Sequence, residues 1–78
     1  VVYAVSFKKK FKKIKERNVK LRIIRQLAKI KDNPDIGKPM RFSRKGTREI
    51  YIGPFRLSYF VKNKNLVYIL DLYHKDEQ

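Results

Sequence analysis

Cysteine is absent from the 78 residues, so neither a disulfide framework nor a thiolate metal site can form within the chain. A single histidine, His74, excludes an all-histidine metal site. Acidic residues number only seven, and their scattered spacing matches no metal-ligand pattern. Neither a metal nor another cofactor is therefore expected. Three glutamates against 21 Lys or Arg set the composition apart from thermophilic chains, in which lysine and glutamate rise together. No apolar run approaches the roughly 18 residues that span a bilayer. The opening Val-Val-Tyr-Ala-Val-Ser-Phe is too short for a signal-peptide core and has no basic stretch before it. A cytoplasmic chain without membrane association is expected, with a residue or two ahead of Val1, since the sequence does not begin with Met.

What is present is positive charge on a foldable background. Apolar residues make up 42% of the chain and aromatics 13%, which argues against disorder. The length suits one domain over residues 1–78, with a core small enough that a partner would add stability. The net charge is +14. Residues 1–31 hold 12 Lys or Arg against one Glu, a net of +11, while residues 32–78 hold nine against six, a net of +3. Such a field attracts polyanions or an acidic protein and repels copies of itself.

Hydrophobic spacing divides the chain. Residues 1–5 read as a short strand, and Ser6 as the N-cap of a helix over 7–17. Phe7, Phe11 and Ile14 fall on one face of that helix, and the other faces are almost all lysine. Only Glu16, facing Lys12 and Lys20, relieves the repulsion. Asn18 is placed to cap a second helix over 19–31, with Ile23, Ile24, Leu27, Ala28 and Ile30 as its buried stripe. Pro34 ends it, and 35–39 reads as a loop. From Met40 the period changes to two. Strands are expected over 40–44, 48–52, 55–62 and 66–73, with turns at Lys45-Gly46, Gly53-Pro54 and Asn63-Lys64-Asn65. The strand 66–73 is apolar nearly throughout and reads as buried on both faces. The fold class is therefore α+β: an N-terminal strand, an αα-hairpin, then a four-stranded antiparallel meander with the helices packed on one face.

That order, together with Gly53-Pro54-Phe55-Arg56-Leu57-Ser58-Tyr59, resembles the RelE/ParE toxin superfamily and its Gly-x-Tyr-Arg-x-x-Tyr strand, with Phe55 in place of the first Tyr. Gly37-Lys38-Pro39-Met40 is similar to the family's lead into the first meander strand, and Tyr73-His74-Lys75-Asp76 to its His-Arg-Lys/Asp cluster. The resemblance covers essentially the whole chain. It implies the toxin of a type II toxin–antitoxin pair, held by a cognate acidic antitoxin in a hetero-oligomer. It implies either an endonuclease that cuts messenger RNA on the ribosome or an inhibitor of DNA gyrase.

Metal-free RNA cleavage uses the ribose 2′-hydroxyl as nucleophile, a base, an acid and cations on the phosphate. The resemblance makes Arg56, Lys75 and His74 the catalytic candidates. Arg56 suits a bidentate phosphate clamp, Lys75 a charge stabiliser or proton donor, and His74 acid–base work near neutrality. Arg48, Arg41, Arg44, Lys45, Lys8, Lys9, Lys12 and Lys13 are candidate contacts to the RNA backbone, the last four to ribosomal RNA. Glu49 and Tyr51 stand where the family is often basic. A carboxylate there would repel a phosphate or serve as a base. Tyr51 and Tyr73 are candidates for base stacking or for a weak acid, standing in for the family's C-terminal tyrosine.

Three other readings stay open: a toxin-fold protein that binds ribosome or gyrase without cutting, a nucleic-acid-binding module without catalysis, and an interfacial helix. The last rests on the Phe7-Phe11-Ile14 stripe among lysines, but the same stripe is needed to cover the sheet.

Overall fold

Residues 1–40 and 45–77 are described by the structure, a computed structural model. Strand β1, Val2–Tyr3, gives way at once to helix α1, Val5–Lys13. Ala4, not Ser6, occupies the N-cap, so Ser6 lies in the first turn and its Oγ is free to donate to Asp71 Oδ1 at 2.8 Å. Phe7 is buried and stacks on Tyr3 and Phe11, each at 5.7 Å between ring centroids. The helix stops at Lys13, short of the expected residue 17, because Ile14 is extended. Ile14 still packs against the core, and the last turn sets Lys10, Lys12 and Lys13 against the negative end of the helix dipole.

Helix α2, Arg17–Asp32, begins directly after the extended Glu16, so Asn18 sits inside the helix rather than capping it. Ile23 and Ile30 are fully buried and Leu27 partly so, but Ile24 is 50% exposed and Ala28 lies on the surface. The buried stripe is narrower than the apolar spacing suggested, because one sheet face is all the helix covers. After Asn33 a 3-10 turn, Pro34–Ile36, leads into β2, Lys38–Pro39. This strand comes earlier than the one expected over 40–44, whose residues 41–44 lie outside the described residues. Met40 continues the pairing by donating its N–H to Thr47 O at 3.0 Å.

Strands β3 (Thr47–Ile52), β4 (Phe55–Asn63) and β5 (Leu66–His74) complete a five-stranded sheet in the order β1-β5-β4-β3-β2. The pairs are antiparallel except β1 with β5, which is parallel. Gly53 (φ +58°) makes the two-residue Gly53-Pro54 turn possible, and Asn63 Oδ1 ties the next turn by accepting the Asn65 N–H at 2.8 Å.

Both helices pack on one face. Ile52, Leu57, Tyr59, Val67, Ile69 and Leu72 are buried beneath them with Phe7, Ile23 and Ile30. The expectation that β5 is buried on both faces is corrected: Tyr68, Leu70 and Tyr73 are only half-buried, on the side that no helix covers. A register shift leaves Leu70 without a partner between Ile69 and Asp71. At this bulge Asp71 meets α1, with Lys10 Nζ at 3.0 Å and Ser6 on the same carboxylate.

Candidate nucleic-acid interface

Strand alternation decides which side chains reach the open face. Glu49 pairs with Ser58, Tyr51 with Arg56, and Arg56 in turn with Tyr73, so all lie on neighbouring strands of that face. The Arg56 guanidinium lies over the Tyr51 ring, with Cζ 3.7 Å from the centroid. Tyr51 is 55% exposed, so this stack stands at the surface. Among the described residues no carboxylate forms an ion pair with Arg56, and its buried Nε has no hydrogen-bond partner. Beside the stack the Tyr73 phenol donates a hydrogen bond to Glu49 Oε2. A fixed cation and a carboxylate–phenol pair thus share one surface. That combination can hold a phosphate and move a proton.

The other expected residues are dispersed. Tyr73, not His74, pairs with Arg56, so His74 falls on the opposite face. Its ring meets Phe55 edge-on at 5.4 Å, and Nδ1 accepts the Asp76 N–H at 3.2 Å. The Asp76 carboxylate, 3.4 Å away, becomes an ion-pair partner only on protonation of the ring. Lys75 is exposed in the 3-10 turn Lys75–Glu77, where its N–H donates to Pro54 O at 2.8 Å. It follows Tyr73 by two residues, just beyond the end of β5.

Arg48 is also turned away from the open face. Its Nη1 donates to Gly37 O at 2.6 Å and Asp35 O at 3.1 Å, and Nη2 lies 3.6 Å from the Asp35 carboxylate. Lys45 is exposed at the β2–β3 turn, and Lys8, Lys9, Lys12 and Lys13 are exposed on α1. Arg41 and Arg44 lie outside the described residues. Two participants escaped the reading of the sequence. The Glu49–Tyr73 bond needs the register of β3, β4 and β5 together, which spacing within one strand cannot supply. Lys38, opposite Glu49, depended on recognising β2 two residues early.

Two titrating groups mark the supports around this surface. Burial raises Tyr59 above its ordinary value, against the opposing influence of the Gly37 N–H and Arg48. Burial would also raise Asp71, but hydrogen bonds from Lys10, Ser6 and the Leu72 N–H outweigh it and hold the carboxyl below its usual value.

The architecture matches solved toxin structures. A chain in the crystal structure of the RelB–RelE antitoxin–toxin complex from Methanococcus jannaschii superposes with a TM-score of 0.79 at 17% identity, over 99% of this chain and 93% of that one. The isolated E. coli RelE toxin gives a TM-score of 0.78 at 16% identity, over 94% of this chain and 80% of that one. At such identities the likeness is one of fold. No curated protein sequence matches the chain significantly. An α+β domain of RelE fold with an uncovered sheet face is thus the class of molecule in hand. The ParE toxin family, the toxin of the parDE type II toxin–antitoxin system, matches residues 1–78, and the chain belongs to it.

Proposed function

We propose that this toxin is a ribosome-dependent mRNA endonuclease of the cytoplasm, held inactive in a hetero-oligomer by a cognate acidic antitoxin. One observation carries the reading. An arginine without a carboxylate partner among the described residues is stacked on Tyr51 at the uncovered sheet face, beside a hydrogen-bonded Glu49–Tyr73 pair. Arg56 clamps the scissile phosphate and stabilises the charge that builds on it. Glu49 takes the proton of the ribose 2′-hydroxyl, whose oxygen attacks phosphorus. Tyr73 gives its proton to the leaving 5′-oxygen and recovers one from Glu49 through the bond they share. The products are a 2′,3′-cyclic phosphate and a free 5′-hydroxyl, with no net proton change. Lys75, just beyond the strand end, adds positive charge, and Lys45 and the α1 lysines contact RNA backbone.

Expression should arrest growth and create new 5′ ends in translated messages, mapped by primer extension. Arg56→Ala should lower cleavage by about 100- to 1,000-fold and relieve arrest. If Arg56→Ala cleaves like the parent, the assigned chemistry is wrong. A second reading, a toxin that binds gyrase or ribosome without cutting, is favoured by the position of His74 on the face opposite Arg56. It calls for arrest without new RNA ends, and for inhibited supercoiling if gyrase is the target.

A further inference from the structure

The open face has a second half, remote from Arg56 and built differently. Phe60 of β4 and Tyr68 of β5 are cross-strand partners, with ring centroids 6.2 Å apart and planes within 26°. Both are half-buried. They form the floor of a shallow cavity of about 760 Å³, together with Leu70, Ser58 and Thr47, and Lys62 stands at its margin. Phe60 follows Arg56 by four residues on the same strand face, a distance of about 14 Å at the rise of an antiparallel strand.

We propose that Phe60 and Tyr68 are a stacking platform for the base of a nucleotide a step or two along the strand from the phosphate held by Arg56. Three observations single out this occupant. The backbones of β4 and β5 are already paired on both sides within the sheet, so a peptide laid here would gain no strand hydrogen bonds. A planar base needs none, since its affinity comes from contact between π-faces. The cations on and beside this face, Lys62, Lys38 and Arg56, favour a ligand that carries negative charge between its planar groups. The hydroxyls of Ser58 and Thr47 line the same cavity and offer partners to a base edge. This gives the two ends of the face separate tasks: Arg56 acts on a phosphate of any sequence, while the platform selects a nucleotide further along the strand.

The inference deepens the endonuclease reading and rests on it for the identity of the ligand, and the experiment separates the two. A labelled single-stranded hexaribonucleotide is titrated with the purified chain by fluorescence anisotropy. Phe60→Ala and Tyr68→Ala should each bind about tenfold more weakly. Their salt slope should be unchanged, because every cation that meets a phosphate is still in place. Phe60→Leu, which keeps apolar bulk but removes the π-face, should lose affinity with an unaltered thermal melt. Phe60→Trp should keep it, with indole emission quenched by RNA. Replacing one nucleotide by an abasic residue should weaken binding to the parent and not to Phe60→Ala.

Equal binding of the Leu variant and the parent overturns the platform while leaving the Arg56 chemistry intact. Loss of binding in the Leu variant, with cleavage untouched by Arg56→Ala, sinks the chemistry and keeps the platform. If the Leu variant loses affinity only for an acidic antitoxin peptide, the face is a protein-docking surface and the platform is overturned. If the parent binds no RNA, the platform is overturned, while the ribosome-dependent chemistry is judged by Arg56→Ala alone.

Discussion

Arg48 and Arg56 stand on adjacent strands and serve opposite ends. Arg48 spends its guanidinium on the carbonyls of Asp35 and Gly37, while Arg56 offers its own to the surface over Tyr51. The loop that Arg48 holds is held again by Tyr59. Its buried hydroxyl accepts the Gly37 N–H and donates to Pro34 O, both at 2.8 Å. Gly37 itself is compulsory, because a Cβ there would lie 2.3 Å from that hydroxyl and 2.8 Å from two ring carbons. Tyr59→Phe should cost about 1–3 kcal/mol in urea unfolding, since it strands two backbone groups. Arg48→Ala should also destabilise, less than additively with Tyr59→Phe because they share a loop, and it should leave the salt slope of RNA binding unchanged. A reduced slope would return Arg48 to the interface. Parity along β3 sets Arg48 on the face opposite its neighbour Glu49, so as an RNA contact it would have to turn to the other face. The carbonyls of Asp35 and Gly37 that hold it in place belong to a loop whose position no spacing within the strand reveals.

At the scale of elements, α1 is joined to β5 by one carboxylate. Asp71 receives Ser6 Oγ, Lys10 Nζ and its neighbour's N–H at the bulge, and its carboxyl titrates below the ordinary value. The folded state therefore binds this proton less tightly than the unfolded state. Between the two values the unfolded chain carries more proton, so stability rises with pH. The contribution is complete above the ordinary aspartate value of about 3.9 and fades as pH falls through the folded one. Denaturation measured from pH 6 to pH 2 should show this acid limb, and Asp71→Asn should flatten it by up to one proton's worth of slope. An unchanged limb would mean that the bond does not support α1. The apolar periods made the elements themselves legible, since Phe7 and Phe11 on one stretch, then Leu57, Tyr59 and Val61 on another, require a helix and a strand. The helix starts were not legible, because Ser6 has a tertiary partner 65 residues away, and Asn18 is the second residue of α2 and not its cap. The parallel β1–β5 pair was equally hidden, since two residues of strand carry no mark of their partner.

For the whole molecule, the distribution of charge separates attraction from chemistry. The helices of residues 1–31 carry a net of +11, yet they pack on the face opposite Arg56. Lys8, Lys9, Lys12 and Lys13 are exposed there, and among the described residues no carboxylate is ion-paired to any of them. Four like charges within about two turns of helix repel one another at short range, a cost that a polyanion relieves by replacing them with attractive pairs. If the α1 lysines grip ribosomal RNA while the open face handles the message, the two functions should come apart on mutation. Replacing all four by glutamine should reduce the salt slope of ribosome binding by about one for each phosphate that these lysines neutralise. It should slow association most at low ionic strength, where the field reaches beyond about 10 Å. Once the complex is saturated, the single-turnover cleavage rate should be unchanged, because Arg56, Glu49 and Tyr73 are untouched. A fall in that saturated rate with no change in the slope would place the helix lysines in the chemical step and reverse the division of labour between the two faces.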